Sequence, residues 1–208
     1  MNILRIDRRH PDKDTLVKAA ELIKNDGVVV GPTETRYGLM VRADRDKALA
    51  RIYDLKKRDR TTPTAVFVPS ADAIDQLGRV NDSARRLTEC FLPGSLTLVV
   101  RARRELGPPL VVNDRIGLRW SSSPVVAGLL ETTGLFLSAT SANLSGGDEP
   151  ESIDDIAAVF GDGVDLYLDG GRLAGEVSTV VDCYTEEYKI LRTGAVAVSA
   201  IDLCVRGK

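Results

Sequence analysis

Four groups of residues in this 208-residue chain carry side chains suited to holding an anion. Thr33 and Thr35 flank a carboxylate, Glu34, just after the apolar run Val28-Val29-Val30 and the pair Gly31-Pro32. Lys56 and Arg58 stand two apart. Ser141, Asn143 and Ser145 share a small-residue run that ends in Gly146-Gly147. Arg119 and Arg192 lie in or beside apolar runs. Hydroxyls, amides and free backbone N–H groups match phosphate and carboxylate oxygens, and arginine adds bidentate recognition with permanent charge. Each group alone is an ordinary turn or a solvated helix end. Together they point to an anionic ligand.

The chain has neither Gly-x-x-x-x-Gly-Lys-Ser/Thr nor Gly-x-Gly-x-x-Gly, so a nucleotide held here is held by neither a P-loop nor a Rossmann fingerprint. His10 is the only histidine, which argues against a Ser-His-Asp triad and a multi-histidine metal site. Acid–base work falls to carboxylates, Lys, Tyr or the substrate itself. Cys90, Cys183 and Cys204 are odd in number and contain no Cys-x-x-Cys pair, so they are expected to be buried or half-buried thiols rather than a disulfide framework or a zinc site.

The elements that must position these residues can be read from periodicity. Val28–Val30, with glycines on either side, reads as a strand covered on both faces, stopped by Pro32. Before it, Leu16, Ala19, Ala20 and Ile23 form one helical face, with Asp14 as the expected cap and Gly27 as the left-handed terminator. A second helix is expected from Asp44 or Asp46 to the Lys56-Lys57-Arg58 run. Strands are expected at Ile3–Ile6, Ala65–Val68, Leu96–Val100, Ile116–Trp120, Leu135–Ala139, Leu166–Leu168, Thr179–Val181 and Lys189–Leu191. Helices are expected after Ser70, after Asn81 or Asp82, from Ser123-Pro124, from Ser152, and from Ser199 at the C-terminus. A loop is expected around Pro108-Pro109. Strands alternating with helices, then short strands crowding the last third, imply an α/β fold with a twisted, mixed sheet. No repeat and no linker divides the chain, so one domain over residues 1–208 is expected.

The chain is 43% apolar and 28% charged, with net charge −2 and a sequence pI of about 5.6. That balance permits a real core and argues against non-specific nucleic-acid coating. No apolar run approaches a membrane span, and the N-terminus lacks a signal-peptide centre, so a cytoplasmic location without a membrane partner is expected.

Pro32-Thr33-Glu34-Thr35 and Tyr37-Gly38-Leu39 resemble the opening motif of the YrdC family. The same holds for Lys56-x-Arg58, Pro93-Gly94-x-Leu96-Thr97-Leu98, Gly117-Leu118-Arg119 and Ser141-Ala142-Asn143-Leu144-Ser145-Gly146. Asp169-Gly170-Gly171, Ser178-Thr179-Val180-Val181-Asp182 and Leu191-Arg192-x-Gly194 complete the series, in family order over roughly residues 15 to 196. The resemblance implies a YrdC-like α/β fold with flanking helices and a concave, positively lined groove. It also implies threonylcarbamoyl-AMP synthase activity: L-threonine, bicarbonate and ATP, with Mg2+ accompanying ATP, give threonylcarbamoyl-adenylate and pyrophosphate. A partner transferase then uses the product in tRNA modification. Carried residue by residue, Thr33, Thr35, Arg119, Ala139 and Ser178 surround threonine, and Lys56, Arg58, Ser141, Asn143 and Arg192 hold ATP. No residue can be named as a metal ligand.

This sequence departs from the family pattern at Phe67, where a histidine is frequent. It departs also at Asp59, Ser121 and Thr140, where prolines are usual, at Ser123 in place of a histidine, and at Arg36 in place of an apolar residue. These departures bring in the YciO-like branch of the family, and the short C-terminal stretch after Gly194 implies no second domain. The alternative function is binding of double-stranded RNA or tRNA without catalysis, through Lys56, Lys57, Arg58, Arg60, Arg101, Arg103, Arg104 and Arg115 on one face.

Overall fold

The computed structural model describes every residue except 104, 105, 108 and 208. Arg104 of the basic run and Pro108 of the proline loop therefore lie outside the described residues. β1 (Ile3–Arg5) leads to α1 (Lys13–Lys24), and β2 (Val29–Pro32) pairs with β3 (Tyr37–Met40) as a hairpin. Then come α2 (Asp46–Lys56), β4 (Ala65–Phe67), α3 (Ala71–Leu77), β5 (Gly78–Arg79), α4 (Asp82–Phe91), β6 (Leu96–Ala102) and β7 (Val111–Val112). β8 (Arg115–Arg119), α5 (Pro124–Thr133), β9 (Leu137–Ser141), α6 (Ile153–Phe160) and β10 (Leu166–Asp169) follow. The chain closes with β11 (Thr179–Asp182), β12 (Lys189–Arg192) and α7 (Val198–Arg206).

The strands join one mixed sheet in the order β1-β10-β2-β3-β9-β4-β8-β6-β11-β12, with β5 on β6 and β7 on β8. β2 explains its own sequence. Val29 packs with α1 and α5 residues such as Ala19, Ile23, Val125 and Leu129. Val28 and Val30 pack in the other layer, with Leu49, Ile52, Ile156 and Phe160 from α2 and α6. A strand covered on both faces has no water-facing position, so its apolar run is unbroken.

Where helices cover only one face, alternation returns. β8 reads Arg115-Ile116-Gly117-Leu118-Arg119, with Ile116 and Leu118 fully buried and the odd positions half-buried. Successive side chains of a strand point to opposite faces, so Arg115, Gly117 and Arg119 share the face opposite the core. This uncovered face becomes the groove.

Several local expectations are corrected. Asp12, not Asp14, caps α1, its carboxylate accepting the Thr15 N–H at 2.8 Å. The left-handed residue after α1 is Asp26 (φ 63°), not Gly27; a Cβ on Gly27 would meet the Leu22 carbonyl at 2.7 Å. Thr33–Arg36 do not leave the sheet but turn the chain back into β3, a strand the periodicity did not reveal. Ser199 lies inside α7, whose N-cap is Ala197. Cys90 and Cys204 are disulfide-bonded, across a sequence separation of 114, contrary to the expectation of thiols. Spacing hid this pair because only the packing of α4 against α7 brings the two together. Cys183 is a buried thiol, as expected.

Candidate functional site

The uncovered face holds a cavity of about 560 Å³. Its walls include the β2–β3 turn, alternate residues of β4, β6 and β8, and residues of β9, β11 and β12. Thr33, Thr35, Arg58, Arg119, Ala139, Ser141, Ser178 and Arg192, eight of the ten residues expected from sequence, line it. Lys56 and Asn143 do not; they stand directly behind Ser141.

The β2–β3 turn is built from its own hydroxyls. Thr33 Oγ1 donates to the Arg36 carbonyl at 2.6 Å and accepts the N–H groups of Thr35 and Arg36. Thr33 and Thr35 share a hydroxyl contact of 2.9 Å. Arg119 then reaches across from the end of β8. Its Nη2 donates to Thr35 Oγ1 at 2.7 Å and to Glu34 Oε1 at 2.8 Å. The other oxygen of Glu34 accepts the Ser121 hydroxyl. The Arg119 guanidinium also lies over Phe67, 5.4 Å from the ring centroid, because β4 and β8 pair with Phe67 opposite Arg119. Glu34 was visible in the motif as a carboxylate, but its part in orienting Arg119 required the fold.

On the facing wall, Arg192 ends β12. Its Nη2 donates to Ser178 Oγ at 2.9 Å and its Nε to the Ser178 carbonyl at 3.1 Å. Ser178 Oγ in turn meets Thr97 Oγ1 at 3.1 Å. Arg192 as a residue is exposed, but these contacts of its guanidinium are part-buried. Burial pulls its pKa below the ordinary value; Glu149 opposes that shift and Arg119 adds to it.

The third wall is the end of α2. Lys57 adopts a left-handed conformation (φ 49°), which turns the chain so that Lys56 points inward and Arg58 lines the cavity. Lys56 is 2% exposed. Its ammonium donates to the Asn143 carbonyl at 2.8 Å, to Asn143 Oδ1 at 3.1 Å and to the Ser141 carbonyl. Burial, then repulsion by Arg58, lowers its pKa to about 8, against attraction by Glu149. Three acceptors around one nitrogen keep it protonated at neutral pH. Lys56 therefore braces the Ser141–Asn143 loop with a positive charge one layer behind the cavity. It is not the solvated helix-end cation that its position would suggest.

Five buried side-chain polar atoms lack a partner among the described residues, and four belong to residues of this cavity: Nε of Arg36, Arg58 and Arg119, and Oε2 of Glu149. An unmet buried polar group costs about 1–3 kcal/mol. Their concentration in one cavity marks it as a place completed by a polar ligand.

Residues 21–194 match the family model Sua5_yciO_yrdC, described as telomere recombination. The chain belongs to this family. Threonylcarbamoyl-AMP synthase from Bacillus subtilis is 30% identical over 194 residues, covering 91% of this chain and 56% of that protein. The crystal structure of Pyrococcus abyssi Sua5 complexed with L-threonine superposes with a TM-score of 0.91 at 28% identity, over 99% of this chain and 61% of that one. The chain thus spans little more than half the length of these two relatives. Escherichia coli YciO has the same fold over its whole chain, with a TM-score of 0.89 and 24% identity. The family fold, with its mixed sheet and concave cationic groove, is the one expected from sequence. No helix among the described residues is long and apolar enough to cross a membrane.

Among the described residues expected to form an RNA-binding face, several have partners within the protein. Lys56 is buried. Arg60 pairs with Asp54, Arg101 with Asp114 and Arg115 with Asp182. Arg103 donates to the Gly78 carbonyl. Arg101 and Arg115 also flank the Tyr184 ring.

Proposed function

We propose that this protein is a threonylcarbamoyl-AMP synthase, a nucleotidyl transfer enzyme that joins L-threonine, bicarbonate and ATP. The observation that carries this reading is the convergence of unmet guanidinium nitrogens and threonine hydroxyls in one cavity. The relatives' names supply the reaction class.

In this reading the Thr33, Thr35, Arg119, Ala139 and Ser178 side of the cavity receives threonine. Arg119 is already held by Glu34 and Thr35 through one nitrogen, which fixes its guanidinium in the cavity wall to meet the threonine carboxylate. The threonine amine attacks the carbon of bicarbonate, and loss of water leaves a carbamate. A carbamate oxygen then attacks the α-phosphorus of ATP, and the bond to the β-phosphate oxygen breaks. Arg58 and Arg192, with Lys56 behind Ser141 and Asn143, neutralise charge gathering on departing pyrophosphate. Fixed cations in a half-enclosed cavity do this without reorganising. His10 is exposed and does not line the cavity, so the substrate's own amine, once deprotonated, serves as nucleophile. The product passes to a partner transferase acting on tRNA, and Mg2+ enters with ATP.

Release of pyrophosphate from ATP tests the reading. Release is expected only when threonine and bicarbonate are both present. Release that ignores threonine, or its absence with all three substrates, would remove it.

A further inference from the structure

Glu149 is the one acidic side chain among the described residues lining a cavity whose other polar side chains are arginines, hydroxyls and Asn113. Its Oε2 is shut off from solvent and accepts no hydrogen bond from the described residues. The loop that carries it is pinned on both sides. Asn143 Nδ2 donates to the Gly147 carbonyl at 2.7 Å, two residues before it. Two residues after it, Glu151 pairs with Arg36 at 3.1 Å and Arg172 at 2.7 Å. The carboxylate is thus held at the cavity by the fold.

Its charge acts on both Lys56 and Arg192, cations of the phosphate end in the reading above. A bare polyphosphate there would be repelled by Glu149. A polyphosphate that brings a divalent cation would reverse the sign, because the ion's positive charge would attract the carboxylate. Magnesium usually binds in this way, through one or two carboxylates plus substrate phosphates, with water completing its shell. The donor chemistry agrees: no group of three or more His, Cys, Asp or Glu able to hold a metal occurs among the described residues, so a metal must arrive with its own oxygens.

We propose that Glu149 is the protein ligand of a divalent cation carried into the cavity by a nucleoside polyphosphate. The proposal rests on the nucleotide reading above and adds to it the residue that selects the metal-bound form of the substrate.

Binding of a non-hydrolysable ATP analogue, measured by calorimetry in Mg2+, in Mn2+ and in EDTA, tests it on wild type and Glu149→Gln. Wild type is expected to bind the analogue more tightly with metal. The variant is expected to lose about ten-fold or more of that metal-dependent gain, the scale seen when a metal site loses a supporting group. It should bind the metal-free analogue as well as wild type or better, since the repulsion is gone. A variant that keeps the full metal dependence overturns the proposal. So does one that binds the metal-free analogue more weakly, which would make Glu149 an acceptor for a nucleotide hydroxyl or amine. Wild type that binds no analogue under any condition removes the nucleotide reading and this inference with it.

Discussion

Arg119→Met isolates the contact on which the amino-acid end of the cavity depends. The Arg119 and Glu34 side chains are 11% and 13% exposed and meet at 2.8 Å. Removing one member of a buried ion pair costs about 3–5 kcal/mol, most of it from the charge left behind. Glu34 keeps the Ser121 hydroxyl and some solvent, so the loss should sit near about 3 kcal/mol. For a chain of this length that corresponds to about 6–12 °C in melting temperature. Trp120, the only tryptophan, follows Arg119 directly and reports unfolding in urea by its fluorescence. Glu34→Gln combined with Arg119→Met should recover part of the loss, because no buried charge is then stranded. Threonine binding should fall in both variants, and more than binding of an ATP analogue. A single-variant loss below about 1 kcal/mol, the worth of an exposed pair, would refute the reasoning. A double variant that loses the full sum of the two singles would refute it equally.

Two further outcomes follow from the other walls. The Lys56 pKa near 8 predicts that affinity for an ATP analogue falls as pH rises through about 8, and that Lys56→Met removes this step. The sign for folding is opposite. A lysine pKa lowered in the fold favours folding increasingly as pH climbs from about 8 toward 10.5, so weakened binding there should come without global unfolding. Gly194→Ala would place a Cβ 2.2 Å from the Val177 carbonyl and 2.7 Å from the Ser178 carbonyl carbon, both backbone atoms. The β11–β12 pair must shift, costing about 1–3 kcal/mol and moving Ser178 away from Arg192. Unchanged melting together with unchanged analogue binding would show that this close approach is not needed.

Much of the fold was legible because burial leaves periodic marks. The unbroken Val28–Val30 run announced a strand with helices on both sides, and the Leu16, Ala19, Ala20, Ile23 pattern announced α1. Boundaries slipped where several residues could do one task. Asp12 and Asp14 are both competent caps, and only the backbone reaching Asp12 decided between them. β3 was missed because Tyr37-Gly38-Leu39-Met40 is short and buried throughout, so it shows no alternation.

The candidate site divides in the same way. Residue chemistry and motif order named the hydroxyls and guanidiniums and implied an anion, since those side chains have few other reasons to recur at strand ends. The sequence by itself could not separate the eight that line the cavity from Lys56 and Asn143 behind it, because depth is a property of packing. Nor could it find Glu149, whose significance is an oxygen with no hydrogen-bond partner among the described residues, or the Cys90–Cys204 bond between helices that dock from far apart in the chain. Pattern along a chain records which face is dry. Which charges meet across that face, and which are left unmet, is decided only when distant strands are laid side by side.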